Sequence, residues 1–224
     1  MAMAEFTLFV GNKNYSSWSL RGWLAARLAG IDCDEQLVRL SEPGSRSALL
    51  EHSQAGKVPV LKHGRRAVWD SLAIIEYLAE QRPAAGLWPA DAEARALARS
   101  IAAEMHSGFA ALRSHMPMNL RKSLPGLGMG PGVAEDIARI SAIWQDCRRR
   151  FGADADAGGP FLFGAASAAD AMYAPVATRF RTYGVALDAV GGAYVEAIYA
   201  WPAFREWQAA ALAEPWIISE DEVE

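Results

Sequence analysis

Up to about residue 80, apolar positions come in short runs and alternations; beyond that they recur at helical spacing. Phe6–Val10 reads as a strand and Trp18–Ala29 as a helix closed by Gly30. Gln36–Leu40 reads as the next strand, with Val38 and Leu40 turned inward, and Ser45 to His52 as a short polar segment. Val58-Pro59 then precedes an apolar pair, Val60-Leu61. A proline there withholds a ladder donor, so it marks a strand start or a bend. After a turn at His63-Gly64 comes a second short strand, Ala67-Val68-Trp69. Asp70-Ser71 next opens an amphipathic helix with Leu72, Ile75 and Leu78 on one stripe. A βαβ unit followed by a ββα unit predicts a small mixed sheet covered by helices.

Gln81–Asp91, with Pro83, Gly86 and Pro89, reads as a linker, and strand signals vanish after it. Leu97, Ile101, Met105, Phe109, Leu112 and Met116 step by three or four as one helical stripe. Val133, Ile137, Ile140, Trp144, Cys147 and Phe151 make a second, ending at Arg148–Arg150, where positive charge suits the helix dipole. Pro117–Gly132 between them, and Gly152–Pro160 after them, read as loops. Ser167-x-x-Asp170 is a capping pattern that starts a third helix. Shorter helices are expected at Tyr194–Ala200 and Phe204–Leu212, split by Trp201-Pro202. The chain thus divides into residues 1–81, 92–224 and a linker over 82–91, an α/β unit followed by an all-helical one.

With 52% hydrophobic and 21% charged residues, the 224-residue chain has the composition of an ordinary globular protein. A net charge of −4 offers no general attraction for nucleic acid or acidic membranes. No apolar run approaches the roughly 18 residues that span a bilayer. The first residues, Met-Ala-Met-Ala-Glu-Phe, lack the basic region and apolar core of a secretory signal. Cys33 and Cys147 lie far apart, in no metal or redox spacing, and read as unpaired thiols of a reducing cytoplasm.

The order loop, Val58-Pro59, strand, turn, strand, Asp70-Ser71, helix resembles the glutathione-binding half of the cytosolic glutathione transferases, a thioredoxin-like domain. Phe163-Gly-x-x-Ser167-x-x-Asp170 resembles the box that nucleates the core helix of that family's helical domain, so the likeness runs along the whole chain. The resemblance implies a cis peptide at Val58-Pro59, with the backbone of Val58 beside Pro59 pairing with the cysteinyl part of glutathione. It implies the γ-glutamyl end at Asp70 and Ser71, where a helix N-terminus with spare N–H groups suits a carboxylate. Lys57 becomes a candidate for the glycyl carboxylate.

The first strand runs into Tyr15-Ser16-Ser17-Trp18-Ser19-Leu20-Arg21. Ser16 and Ser19 have the Cys-x-x-Cys spacing of redox thioredoxin-like proteins, and neither forms a disulfide, which excludes dithiol exchange. In serine-using transferases the catalytic residue stands fourteen positions before a Gly-Ile that ends the first helix; Gly30-Ile31 puts Ser16 there. Ser17 is the runner-up, Ser19 is expected to cap the helix, and Tyr15 is an alternative donor. Arg21 is expected to close an internal ion pair. Lowering a thiol pKa of about 8.5 by two takes roughly 2.7 kcal/mol. A hydroxyl donor to a charged acceptor supplies about 1.5–3 kcal/mol and a helix N-terminus about 0.5–1 more. Glu104-Met105-His106-Ser107-Gly108-Phe109 resembles the Glu-Leu-His-Lys-Gly-Phe stretch of bacterial beta-class transferases, where the histidine faces the glutathione thiol. His115-Met116-Pro117-Met118-Asn119-Leu120-Arg121, rich in flexible apolar groups, is a candidate wall for the second substrate.

The resemblance implies a cytoplasmic transferase, a homodimer with glutathione as cosubstrate and no metal, conjugating the thiolate to a small hydrophobic electrophile. Two alternatives stand beside it. One is a cis–trans isomerase of the maleylacetoacetate type, although Ser16-Ser17-Trp18-Ser19 stands where those enzymes read Ser-Ser-Cys. The other is a non-catalytic binding or stress-response protein on the same fold.

Overall fold

The computed structural model describes residues 5–152 and 158–223. Strand β1 (Phe6–Val10) buries Phe6, Leu8 and Val10. It lies inside a four-stranded sheet of order β2-β1-β3-β4. Helix α1 (Ser17–Leu28) crosses to β2 (Cys33–Leu37), which pairs parallel with β1. Helix α2 (Ser45–Leu50) leads to β3 (Val60–His63), antiparallel to β1, and β4 (Arg66–Val68) pairs antiparallel with β3. Helix α3 (Ser71–Gln81) follows, with Asp70 as its N-cap. This is the expected thioredoxin-like arrangement. One detail differs. The second strand lies three residues earlier than Gln36–Leu40, because parallel pairing sets Phe6 opposite Cys33 and Val10 opposite Leu37. At the sheet edge it stays mostly exposed, and Leu40 falls beyond it against Gly11. The polar segment after Gly44, given no element type by the sequence, forms α2.

The remainder is helical: α4 (Ala92–Ser107), α5 (Ala110–His115), α6 (Val133–Cys147), α7 (Ala168–Thr182), α8 (Ala189–Ala200) and α9 (Pro202–Ala213). The stripe from Leu97 to Met116 is split. A Cβ at Gly108 would stand 2.8 Å from the Glu104 carbonyl oxygen, and Phe109 takes a left-handed φ of 55°, so the chain turns between α4 and α5. Helix α8 starts five residues before Tyr194, capped by Asp188 on the Gly191 N–H; Gly191-Gly192 concealed that start. The expected loop at Gly152–Pro160 falls largely on residues 153–157, outside the described residues.

One apolar core runs through both halves. Helix α1 packs against α3 on one side and α7 on the other. At the heart of the helical half, Trp144 meets Tyr173, Phe180 and Tyr194. Buried Asp170 anchors α7, accepting from the Leu162 and Ser167 N–H groups, the Ser167 hydroxyl and the Tyr194 hydroxyl. Both cysteines are unpaired, and burial pushes the thiols up, Cys33 to about 11 and Cys147 to about 12. Neither is primed for reaction. Among the described residues no helix is long and apolar enough to cross a membrane.

Candidate active site

The turn from β1 into α1 brings Ser16 and Ser17 to the seam between the two halves. Ser16 is the N-cap of α1: its Oγ accepts the Ser19 N–H at 3.3 Å and lies 2.8 Å from the Ser19 hydroxyl. Ser19, expected to be the cap, instead accepts the Gly11 N–H and ties the strand exit to the helix. The Ser16 hydroxyl donates to Ser19 Oγ, and it turns from that acceptor to donate to a ligand in the cavity. Ser17 accepts from Arg179 at 3.3 Å. Tyr15 donates to Glu222 and accepts from Arg121, so its hydroxyl is spent on the C-terminal segment rather than offered to a thiol.

The Val58-Pro59 peptide is cis, as is Trp69-Asp70. Gly22 of α1 lets the helix approach the proline: a Cβ there would stand 3.1 Å from Pro59 Cγ. Asp70 Oδ1 accepts the Leu72 and Ala73 N–H groups at 3.0 and 3.3 Å. The Ser71 hydroxyl is buried and has no partner among the described residues.

Two cavities adjoin here, sharing Trp18, Lys57 and Val58 as a common wall. The smaller, about 380 Å³, is bounded by Pro59, Asp70, Ser71 and His106. The larger, about 590 Å³, is bounded by Ser16, Ser17, Pro117, Met118, Arg113 and Arg179, with Asp221 at its side. The sequence-derived candidates are therefore brought together, with His106 on the Asp70 side of the Trp18 wall. Its Nε2 lies 3.0 Å from Asp70 Oδ2 and its ring meets the edge of Trp18, so it faces the Asp70 cavity and not that of Ser16.

Sequence reading passed over Arg113, Arg179 and Asp221. Arg179 is buried and fully held, with Nε to the Met116 carbonyl, Nη1 to the Pro175 carbonyl and Nη2 to Ser17. Its one signal was an arginine inside the otherwise buried Ala168–Phe180 segment. Burial pushes the Asp221 carboxyl up, with Arg179 pulling the other way. The ion pair expected of Arg21 is not formed: the side chain is fully buried and none of its nitrogens has a hydrogen-bond partner among the described residues. No cluster of metal-ligating side chains occurs among the described residues.

Residues 15–81 match the family model described as glutathione S-transferase, N-terminal domain. A probable maleylacetoacetate isomerase of Caenorhabditis elegans is 35% identical over 113 residues, 50% of this chain and 52% of that protein. The rat maleylacetoacetate isomerase is 35% identical over 101 residues, 44% of this chain and 46% of that protein. The chain spans about half the length of these curated relatives. A Burkholderia glutathione transferase homolog, solved with bound glutathione, superposes with a TM-score of 0.69 at 26% identity, over 92% of this chain and 97% of that one. A maleylacetoacetate isomerase from Anaeromyxobacter dehalogenans, solved with dicarboxyethyl glutathione and citrate, gives 0.63 at 25% identity, over 92% and 95%. The N-terminal match covers the segment that builds the Val58-Pro59 and Asp70-Ser71 site, and the fold of the glutathione transferase homolog is shared along nearly the whole length: residues 15–81 form a glutathione S-transferase N-terminal domain.

Proposed function

We propose that the protein binds glutathione across the two joined cavities and uses its thiolate on an electrophile held against the helical half. Residues 1–81 carry the tripeptide and 92–224 the second substrate. The observation that carries this reading is the unpartnered, buried Ser71 hydroxyl at the N-terminus of α3, beside Asp70 and the Val58-Pro59 turn. A buried hydroxyl without a partner costs about 1–3 kcal/mol, and a carboxylate arriving there recovers it. The γ-glutamyl carboxylate goes to Ser71 and its ammonium to Asp70. The cysteinyl backbone meets Val58, and the glycyl carboxylate meets Lys57. The thiol then lies in the larger cavity, within reach of Ser16, whose hydroxyl donates to the sulfur; its proton leaves to solvent. Proximity to the electrophile and stabilisation of the thiolate supply the catalysis. Homodimer assembly and a cytoplasmic location belong to the same proposal and rest on the family.

A second reading is favoured by Arg113 and Arg179, two guanidinium side chains on the cavity of Ser16. They suit a substrate that carries carboxylates better than a purely hydrophobic one. With a maleyl compound the thiolate adds to the double bond, the carbon–carbon bond turns, and the thiolate leaves again. Glutathione is then regenerated.

Calorimetry and product analysis test both. Glutathione should bind, and Ser71→Ala should raise its dissociation constant about tenfold or more. With aryl halides and epoxides, consumption of glutathione one-for-one with product marks conjugation. With maleyl compounds, turnover without consumption marks isomerisation. Binding with neither reaction would leave a non-catalytic glutathione-binding protein, and no binding would overturn the reading altogether.

A further inference from the structure

Arg21 lies on α1 one turn beyond Ser17, at zero exposure, with none of its nitrogens hydrogen-bonded among the described residues. Arg179, equally enclosed, shows the ordinary solution with three acceptors. A buried guanidinium without acceptors is among the costliest groups a core can hold. What Arg21 does touch is an aromatic face: its Cζ stands 4.4 Å from the Trp18 ring centroid, and Arg113 approaches the same ring at 5.4 Å. Trp18 is the wall shared by the two cavities.

The titratable side chains close enough to act on Arg21 are Arg179 and Tyr173 of α7, Arg113 of α5 and Asp70 at the start of α3. Asp70, the one carboxylate among them, is half exposed and already beside His106. Burial, followed by the repulsion of Arg179 and Arg113, pushes the Arg21 guanidinium below its ordinary value. Three positive groups from three helices therefore stand around the larger cavity, Arg113 and Arg179 on its lining and Arg21 behind Trp18, with Asp221 as the carboxylate beside Arg179. Lys57, Tyr15 and Asp221 face that cavity directly.

We propose that Arg21 is held dry and unpaired so that its charge, with those of Arg113 and Arg179, keeps the thiol of bound glutathione ionised. This rests on the glutathione reading above. Arg21 does not touch the substrate; it is a positioning residue that acts through its field and through the Trp18 ring. A charge in a low-dielectric interior is screened little by water or salt, whereas an acceptor beside it would neutralise its field. The thiol proton is released to solvent through the open cavity, so no further reactant is needed.

The test titrates the ultraviolet absorbance of the bound thiolate in the wild type, Arg21→Met and Arg21→Lys, alongside thermal melting. Arg21→Met keeps a long apolar stem and removes the charge. The pKa of the bound thiol should rise by about one in Arg21→Met, a tenfold loss of thiolate at pH values below it, and stay near wild type in Arg21→Lys. The melting temperature of Arg21→Met should equal or exceed that of the wild type, since a costly buried charge is gone. An unchanged thiol pKa in Arg21→Met, or an equal rise in both variants, overturns the proposal. Loss of folding in Arg21→Met also overturns it, because the charge would then be structural. Failure of the wild type to bind glutathione is a separate outcome that strikes the glutathione reading itself.

Discussion

At the scale of single residues, Ser16 carries two tasks that pull apart under mutation. It caps α1 through the Ser19 N–H, and in the proposed mechanism it donates to the sulfur. Ser16→Ala should lower stability by about 1 kcal/mol, the usual worth of a serine cap. The same change should raise the pKa of bound glutathione by about one to two. Ser17→Ala removes one acceptor of Arg179 and should leave the thiol pKa nearly unchanged. Thiolate titration in both variants separates the cases, and a rise confined to Ser17→Ala would move the donor role one residue along.

Among the elements, α7 is the one on which the site depends most. It supplies Arg179 and packs against α1, and its first turn is fixed by Asp170. Burial pushes the Asp170 carboxyl up, while donors from Leu162, Ser167 and Tyr194 pull it back down. Asp170→Ala would strand those donors in the core. It should therefore cost about 3–5 kcal/mol in a denaturant melt, far more than an exposed cap. A loss near 1 kcal/mol would mean that the box is only a helix cap. Such a loss would also free α7 from the task of holding Arg179 in place.

Across the whole molecule, the turn before α1 is bound to the C-terminal segment. Glu214 accepts the Lys13 and Asn14 N–H groups, Asn14 bonds Asn119, and Arg121 donates to Tyr15 and to the Glu214 and Trp216 carbonyls. Glu222 closes this tie. Burial alone would raise its carboxyl, but bonds from Tyr15, Lys122 and Asn119 outweigh it and hold the group below its ordinary value of 4.5. A carboxylate depressed in the folded state adds stability above its unfolded pKa and loses it as pH falls through the folded one. The gap in melting temperature between wild type and Glu222→Gln should thus be full above pH of about 5.5 and close as pH drops below about 4.5. A gap independent of pH would show that the contact does not depend on charge.

What the sequence alone determined is what neighbours along the chain decide. The order of strands and helices, the Ser167–Asp170 box, the Val58-Pro59 turn and the Asp70-Ser71 helix start each rest on residues a few positions apart. Periodicity and capping chemistry expose such features directly. Even there, β2 was misplaced, because parallel pairing with β1 and not its own apolar content sets its register. Tertiary structure alone decided the split at Gly108, the side of Trp18 that His106 faces, and the meeting of Arg21, Arg113 and Arg179. Those residues come from α1, α5 and α7, and their meeting depends on how α1 seats against α7. Whether a buried arginine finds an acceptor is a property of that packing, which local propensity does not record.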